Sequence, residues 1–288
     1  MSSKYIPWSV KTAIFRINLK YNYLLAPTVR GIACPICDNR EAKLFRFGPD
    51  RTVTGPSRRY PEIAVGHDKY CCTHCRNIFA TWLQRDVSEV GEIYAGIDEG
   101  DSEVHLENDR KEVSKEMMRI CASLLRAQRN ERTVPIRILD FGCGPNYRGV
   151  QELHHEDTGL ELTCCDVNPN LPYDGKTFFR FTGVFPSYLH GMFDGIASVD
   201  VFEHLNYPVQ DMMSFNRLLR TGGIMVHYAP LQWCLRLRRG HYETAFHTNF
   251  PSKKSLKILC DKTGFEFLGD AVPKPGYWYL MFRKVAHV

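Results

Sequence analysis

Apolar and polar positions change their period several times along this chain, and the changes divide it. Over residues 8–25, Val10, Ala13, Ile14, Ile17, Tyr21, Leu24 and Leu25 recur at helical spacing, with Lys11, Arg16 and Lys20 off the stripe. This predicts an N-terminal amphipathic arm over residues 1–30, packed on the core or docked on a partner or a membrane surface. Residues 31–85 show little periodicity, much Gly, Pro and Arg, and two cysteine pairs. An acidic, loop-like stretch follows at 86–109. Val113, Met117, Met118, Cys121, Leu124 and Leu125 then predict a helix over 110–129, so that 86–134 read as an acidic linker and helix.

From about residue 135 the pattern alternates. Residues 136–141, 160–166, 178–181, 193–199 and 223–228 read as short apolar strands, with helical stretches near 148–156, 207–219 and 252–263. Residues 265–271 and 277–284 predict an antiparallel terminal pair. Strands separated by helices imply an α/β fold, a doubly wound and mainly parallel sheet covered on both faces, spanning 135–288.

Charge sharpens the division. The net charge is +5, but residues 1–60 hold 11 Lys/Arg against 3 Asp/Glu, and residues 61–110 hold 4 against 11. A basic N-terminal face suits an anion or ordinary solvent. With 44% apolar and 24% charged residues the chain is globular rather than disordered. No apolar run reaches transmembrane length, and early lysines break any signal-peptide core, so a cytoplasmic protein is expected.

Eleven cysteines in such a compartment point to metal or packing before disulfides. Cys34-Pro-Ile-Cys37 and Cys72-Thr-His-Cys75 are two C-x-x-C turns, each able to aim two thiolates at one tetrahedral centre. They predict a structural zinc site in a ribbon-like module over 31–85, too poor in apolar residues to hold itself together without a staple. Cys71, His67 and His74 read as bystanders. Cys121, Cys143, Cys164, Cys165, Cys234 and Cys260 read as packing residues.

The segment Ile138-Leu139-Asp140-Phe141-Gly142-Cys143-Gly144 runs from an apolar strand into a Gly-x-Gly turn, where a backbone can approach a ligand closely. Asp166 ends the next strand, 22 residues after Gly144, where an acid can accept from ribose hydroxyls. "ILDFGCG" resembles motif I of class I S-adenosylmethionine-dependent methyltransferases. "CCDVNP", "FDGIASVDVFEHL" and "LLRTGGIMVHYAP" are similar to their second, fourth and fifth motifs, over about residues 135–285. The resemblance implies their seven-stranded sheet. It also implies that Asp140, Gly142 and Gly144 surround the methionine part of S-adenosyl-L-methionine and that Asp166 holds the ribose, with Val167 and Asp200 completing the cofactor set.

Asp200-Val201-Phe202-Glu203-His204 follows the fourth strand and resembles the E-x-x-E-H motif of ubiquinone-biosynthesis O-methyltransferases and small-RNA 2′-O-methyltransferases. In those families the motif can hold a divalent cation, so magnesium or manganese is a further expectation. Asp200 stands where that motif has its first Glu. His241 and His247 follow the fifth strand, and a histidine there can act as general base. Glu203, His204, His241 and His247 are therefore the candidate catalytic residues. The resemblance of "DVFEHL" with "HTNF" to that O-methyltransferase group implies methyl transfer to a hydroxyl of a small molecule or sugar. Two rival readings stay open: an RNA methyltransferase whose basic module grips phosphates, and a non-catalytic binding module that keeps the cofactor fold.

Overall fold

Two sheets organise the chain, and they interlock. The computed structural model describes residues 23–46, 68–81, 87, 89–92, 104–128, 134–144, 147–229, 247–274 and 277–288. The first sheet is wholly antiparallel. It contains β1 (Thr28–Arg30), β2 (Glu41–Arg46), β3 (Asp68–Cys72) and β4 (Ile78–Phe79). Its fifth strand is β10 (Asn249–Phe250), which pairs with β4 through Asn249↔Phe79 and Phe250↔Ile78. These strands were not predicted; β1 and β4, with three and two residues, are too short to show an alternation.

Helix α1 (Val104–Gln128) leads into the second sheet. Its strands and helices are β5 (Ile136–Phe141), α2 (Tyr147–Glu156), β6 (Leu160–Asp166), β7 (Phe178–Arg180), β8 (Phe193–Val199), α3 (Pro208–Leu218) and β9 (Leu219–Ala229). After β10 come α4 (Lys253–Thr263), β11 (Phe265–Lys274) and β12 (Tyr277–Lys284). The strand order is β11-β12-β9-β8-β5-β6-β7. Strands β5 to β9 pair parallel, and β12 runs antiparallel between β9 and β11. The predicted doubly wound sheet and its antiparallel terminal pair are both present.

Local chemistry explains the element ends. Ser252 caps α4 reciprocally with Ser255, and Gly264 closes it in a left-handed conformation at φ 69°. Pro208 opens α3, where its missing N–H has no helical partner to lose. The long α1 lies close on the sheet through Met117, Met118 and Cys121, all fully buried. At Gly195 of β8 a Cβ would sit 2.4 Å from the Cys121 sulfur, so only glycine lets helix and strand approach this far. A second apolar layer, with Phe215 of α3 and Leu256 and Leu259 of α4, fills the opposite face. Cys34, Ile36, Cys72, Cys75 and Phe79 of the N-terminal sheet belong to that same core.

Of the predicted arm, residues 1–22 lie outside the described residues. Leu24 and Leu25, from its apolar stripe, are each 65% exposed, while the Tyr23 ring lies 4.1 Å from the Arg76 guanidinium. Among the described residues no helix is long and apolar enough to cross a membrane.

One buried group makes stability depend on pH. His227 of β9 is enclosed by Phe202, Phe215 and Phe282, and its Nδ1 pairs with Ser198 Oγ. Its Nε2 has no hydrogen-bond partner, and burial pushes its pKa down to about 3. Unfolded, the same imidazole takes up a proton near pH 6.5. The unfolded state therefore binds the proton that the folded state refuses. Stability should fall as pH drops from about 6.5 toward 3, by at most about 1.4 kcal/mol per pH unit from this group. His227→Leu should lose that part of the slope in urea unfolding at a series of pH values. An unchanged slope would exclude His227 as its source.

Candidate active site and cysteine cluster

The carboxyl ends of the parallel strands build the first part of the site. Strand β5 delivers Asp140, which is buried and accepts from Ser114 Oγ of α1 at 2.9 Å. Burial pushes the Asp140 carboxyl up to about 7, against the Ser114 hydrogen bond and with help from the Asp166 charge. The turn after β5 has Gly142 at φ 73° and Gly144 at φ 54°. A Cβ on Gly142 would stand 2.4 Å from Val201 Cγ2, so the turn is pressed against the end of β8. The amides of Gly142 and Cys143 both donate to the Cys165 carbonyl, which ties this turn to β6.

Asp166 closes β6 with both carboxylate oxygens engaged. Gly144 N donates to Oδ2 at 2.7 Å and Asn168 N to Oδ1 at 2.9 Å. Burial raises its pKa, opposed by the amides of Asn168, Gly144 and Val167. The two carboxylate oxygens together offer about four acceptor sites, so a ribose hydroxyl can still be accepted. Residues 145–146, between the glycine turn and α2, lie outside the described residues.

One contributor escaped the sequence reading. A helical turn including residues 89–92 lies over the loop after β6, and a Cβ on Gly91 would come within 2.5 Å of the Val167 carbonyl. Nothing in the local pattern announced it, because its role depends on a close approach to a strand end 75 residues away.

The end of β8 builds the second part of the site. Asp200 adopts a left-handed backbone at φ 53°, and its amide donates to the Tyr228 carbonyl at 2.8 Å. That kink throws Phe202–His204 into a short 3-10 turn. Glu203 is 1% exposed, and its carbonyl accepts from Thr248 N at 2.8 Å. The Glu203 Oε1 atom lies 3.9 Å from His204 Nε2 and 3.8 Å from His247 Nε2. The two imidazoles meet edge to face with centroids 4.9 Å apart. Donor atoms of Glu203, His204 and His247 all fall within 4.8 Å of one another, and Asp200 stands outside this group. His241 lies outside the described residues.

The cysteines assemble separately. Cys34 and Cys75 sulfurs are 3.5 Å apart, as are those of Cys37 and Cys72, and all four fall within 4.8 Å. Each C-x-x-C turn is followed by a left-handed residue, Asp38 at φ 60° and Arg76 at φ 65°. Each also closes with an amide returning to its first cysteine, Asp38 N to Cys34 O and Arg76 N to Cys72 O. The two knuckles are thus near copies. Hydrogen bonds from Cys34 and Cys75 hold the Cys72 thiol far below its ordinary range, while the Cys34 thiol is pushed up to about 12. Four thiolates about 2.3 Å from one tetrahedral ion would lie about 3.8 Å from each other, which this spacing nearly matches. Cys71 points away and donates toward the Arg76 carbonyl, as a bystander. Cys121, Cys143, Cys164, Cys165 and Cys260 are buried, and Cys234 lies outside the described residues.

The strand order, the glycine turn and the acid that ends β6 define a class I S-adenosylmethionine-dependent methyltransferase. The chain belongs to the methyltransferase-domain family, whose model matches residues 110–268. No curated protein matches it. Among solved structures it is similar to a Haloferax volcanii methyltransferase in complex with the Trm112 methyltransferase activator, at 11% identity and TM-score 0.49, covering 70% of this chain and 99% of that one. It is also similar to an S-adenosylmethionine-dependent methyltransferase from Mesorhizobium loti, at 14% identity and TM-score 0.42, covering 55% and 95%. A third, from Listeria monocytogenes, shares 10% identity at TM-score 0.41 over 56% and 96%.

Proposed function

We propose that the protein transfers a methyl group to a hydroxyl of a small molecule or sugar, with His247 as general base. The observation that carries this reading is the convergence of His247, His204 and the buried Glu203 at the end of β8. S-adenosylmethionine supplies an electrophilic methyl on a sulfonium. Asp140, Gly142 and Gly144 would surround its methionine part, and Asp166, Val167 and Asp200 would complete the cofactor set. His247 Nε2 takes the hydroxyl proton, and the adjacent Glu203 carboxylate stabilises the imidazolium that forms. His204 packs edge to face on that ring and limits its orientation.

Cys34, Cys37, Cys72 and Cys75 would hold one structural zinc, with all four positions filled and none left for substrate. The domain division carried forward is an arm over 1–30, a zinc module over 31–85, a linker and helix over 86–134 and the catalytic domain over 135–288. A second reading has its own support: one carboxylate and two imidazoles within 4.8 Å also suit magnesium or manganese.

The test is methylation from isotopically labelled S-adenosylmethionine, assayed on panels of sugars, phenols and bulk RNA. Label in sugars or phenols is expected. Label in RNA alone, with affinity falling steeply in salt, would overturn the choice of acceptor. Loss of activity in chelator and its return with manganese, with zinc still bound, would favour the cation reading over the base.

A further inference from the structure

A buried lysine links the cysteine cluster to the proposed base. Lys69 of β3 is fully buried, and its Nζ donates to the carbonyl of His247 at 2.6 Å, 178 residues away in sequence. The same ammonium lies 5.5 Å from the centroid of the Phe250 ring. A methionine or leucine would fill this strand position without the cost of a desolvated charge. The contact to the His247 carbonyl is nevertheless charge-assisted.

The surrounding contacts converge on the same short segment. Strand β4 pairs on one side with β3, through Tyr70↔Phe79 and Cys71↔Ile78, and on the other with β10. Ala80 N donates to the Thr248 carbonyl at 2.9 Å, and Asn77 Nδ2 to Asn249 Oδ1 at 2.8 Å. The turn that joins β3 to β4 is the second cysteine knuckle, with Cys72 and Cys75. Whatever fixes that knuckle therefore fixes both strands against which residues 247–250 are held. From the other side, Thr248 N is bound to the Glu203 carbonyl. His247 is clamped between the knuckle hairpin and the turn that carries Glu203 and His204.

We propose that Lys69 is a positioning residue: it anchors the His247 backbone to the cysteine-cluster hairpin, so that occupancy of the cluster sets where the imidazole stands. The inference rests on the reading of His247 as the acceptor-side base. It assigns the N-terminal module a role in the reaction, beyond holding its own fold.

The experiment compares wild type, Lys69→Met and Lys69→Arg as full-length, zinc-loaded protein. Hydrogen exchange of a peptide spanning 247–252 and the imidazole nitrogen signals of His247, assigned with His247→Asn, are the readouts. In Lys69→Met, exchange of that peptide should rise about ten- to a hundredfold and the His247 signals should shift. Zinc content, S-adenosylmethionine affinity and exchange of β5–β8 should stay as in wild type. Lys69→Arg should restore the His247 signals, which a general packing role would not require. Unchanged exchange and unchanged signals in folded Lys69→Met would overturn the proposal. If Lys69→Met does not fold, wild type partly stripped of zinc decides: 247–250 should open together with 68–79, and continued protection of 247–250 would overturn it. Shifted His247 signals with undiminished methyl transfer would support the anchoring and sink only the base role.

Discussion

Cys37→Ser is expected to lose the metal and to lower the unfolding temperature of the whole chain, α4 and β10 included. The cluster is not an appendage. Cys34, Cys72 and Cys75 share a core with Phe202, Leu256 and Leu259, and Ser252, the cap of α4, donates through Oγ to the Cys75 carbonyl at 2.6 Å. Lys254 and Lys262 of the same helix reach the His74 carbonyl and the Asp38 carboxylate. Structural zinc contributes on the order of 10–16 kcal/mol in small sites, comparable with the entire roughly 5–15 kcal/mol that holds a domain folded. Elemental analysis should give one zinc per chain in wild type and none in the variant. Thermal unfolding followed by circular dichroism should move by well over about 10 °C, on the scale of about 2–4 °C per kcal/mol. A metal-free variant that melts like wild type would show that the cluster does not support the catalytic half.

The second large effect is on turnover. His247→Asn should lower it about 10²–10⁴-fold while leaving S-adenosylmethionine affinity within about twofold. Asparagine keeps the backbone contacts of residue 247, including the Lys69 contact to its carbonyl, and removes only the titrating ring. The proposed cofactor set, Asp140, Gly142, Gly144, Asp166, Val167 and Asp200, is untouched. Product formation over time and calorimetry with the cofactor measure the two quantities separately. A variant with full turnover would remove His247 from the chemistry. A variant that loses cofactor binding would place it on the cofactor side instead.

Legibility in the sequence followed the physics of each element. β5, β6 and β8 are mostly buried strands, with only Arg137 and Glu161 exposed near the starts of β5 and β6, and their predicted bounds agree with the structure. α2, α3 and α4 agree to within a residue or two, and for α3 and α4 a proline or a capping box marks the start locally. The four cysteines that converge are the four that spacing selected, since a C-x-x-C turn carries its geometry in its own backbone. What sequence could not show depends on distant partners. β10 is two residues long and exists only because β4 offers an edge. Nothing local to Lys69 says that it reaches a carbonyl 178 residues forward. The glutamate–histidine pair was visible in "VFEHL", but that His247 and not Asp200 joins it follows from the kink at Asp200 and the Thr248–Glu203 bond.

The interlocked strand order constrains how the protein can be made. The first four strands of the N-terminal sheet are synthesised early, but their fifth neighbour emerges some 170 residues later. On a ribosome adding roughly 5–20 residues per second, the edge of β4 stays open for about ten seconds or more. An open strand edge is a template for wrong pairing, and here it lies beside six residues that contain two thiols of the cluster. Early metal capture would close the knuckles while the rest of the chain is still being translated. The same order means that the module cannot be moved to another enzyme as a cassette: cutting after residue 85 leaves its sheet one strand short.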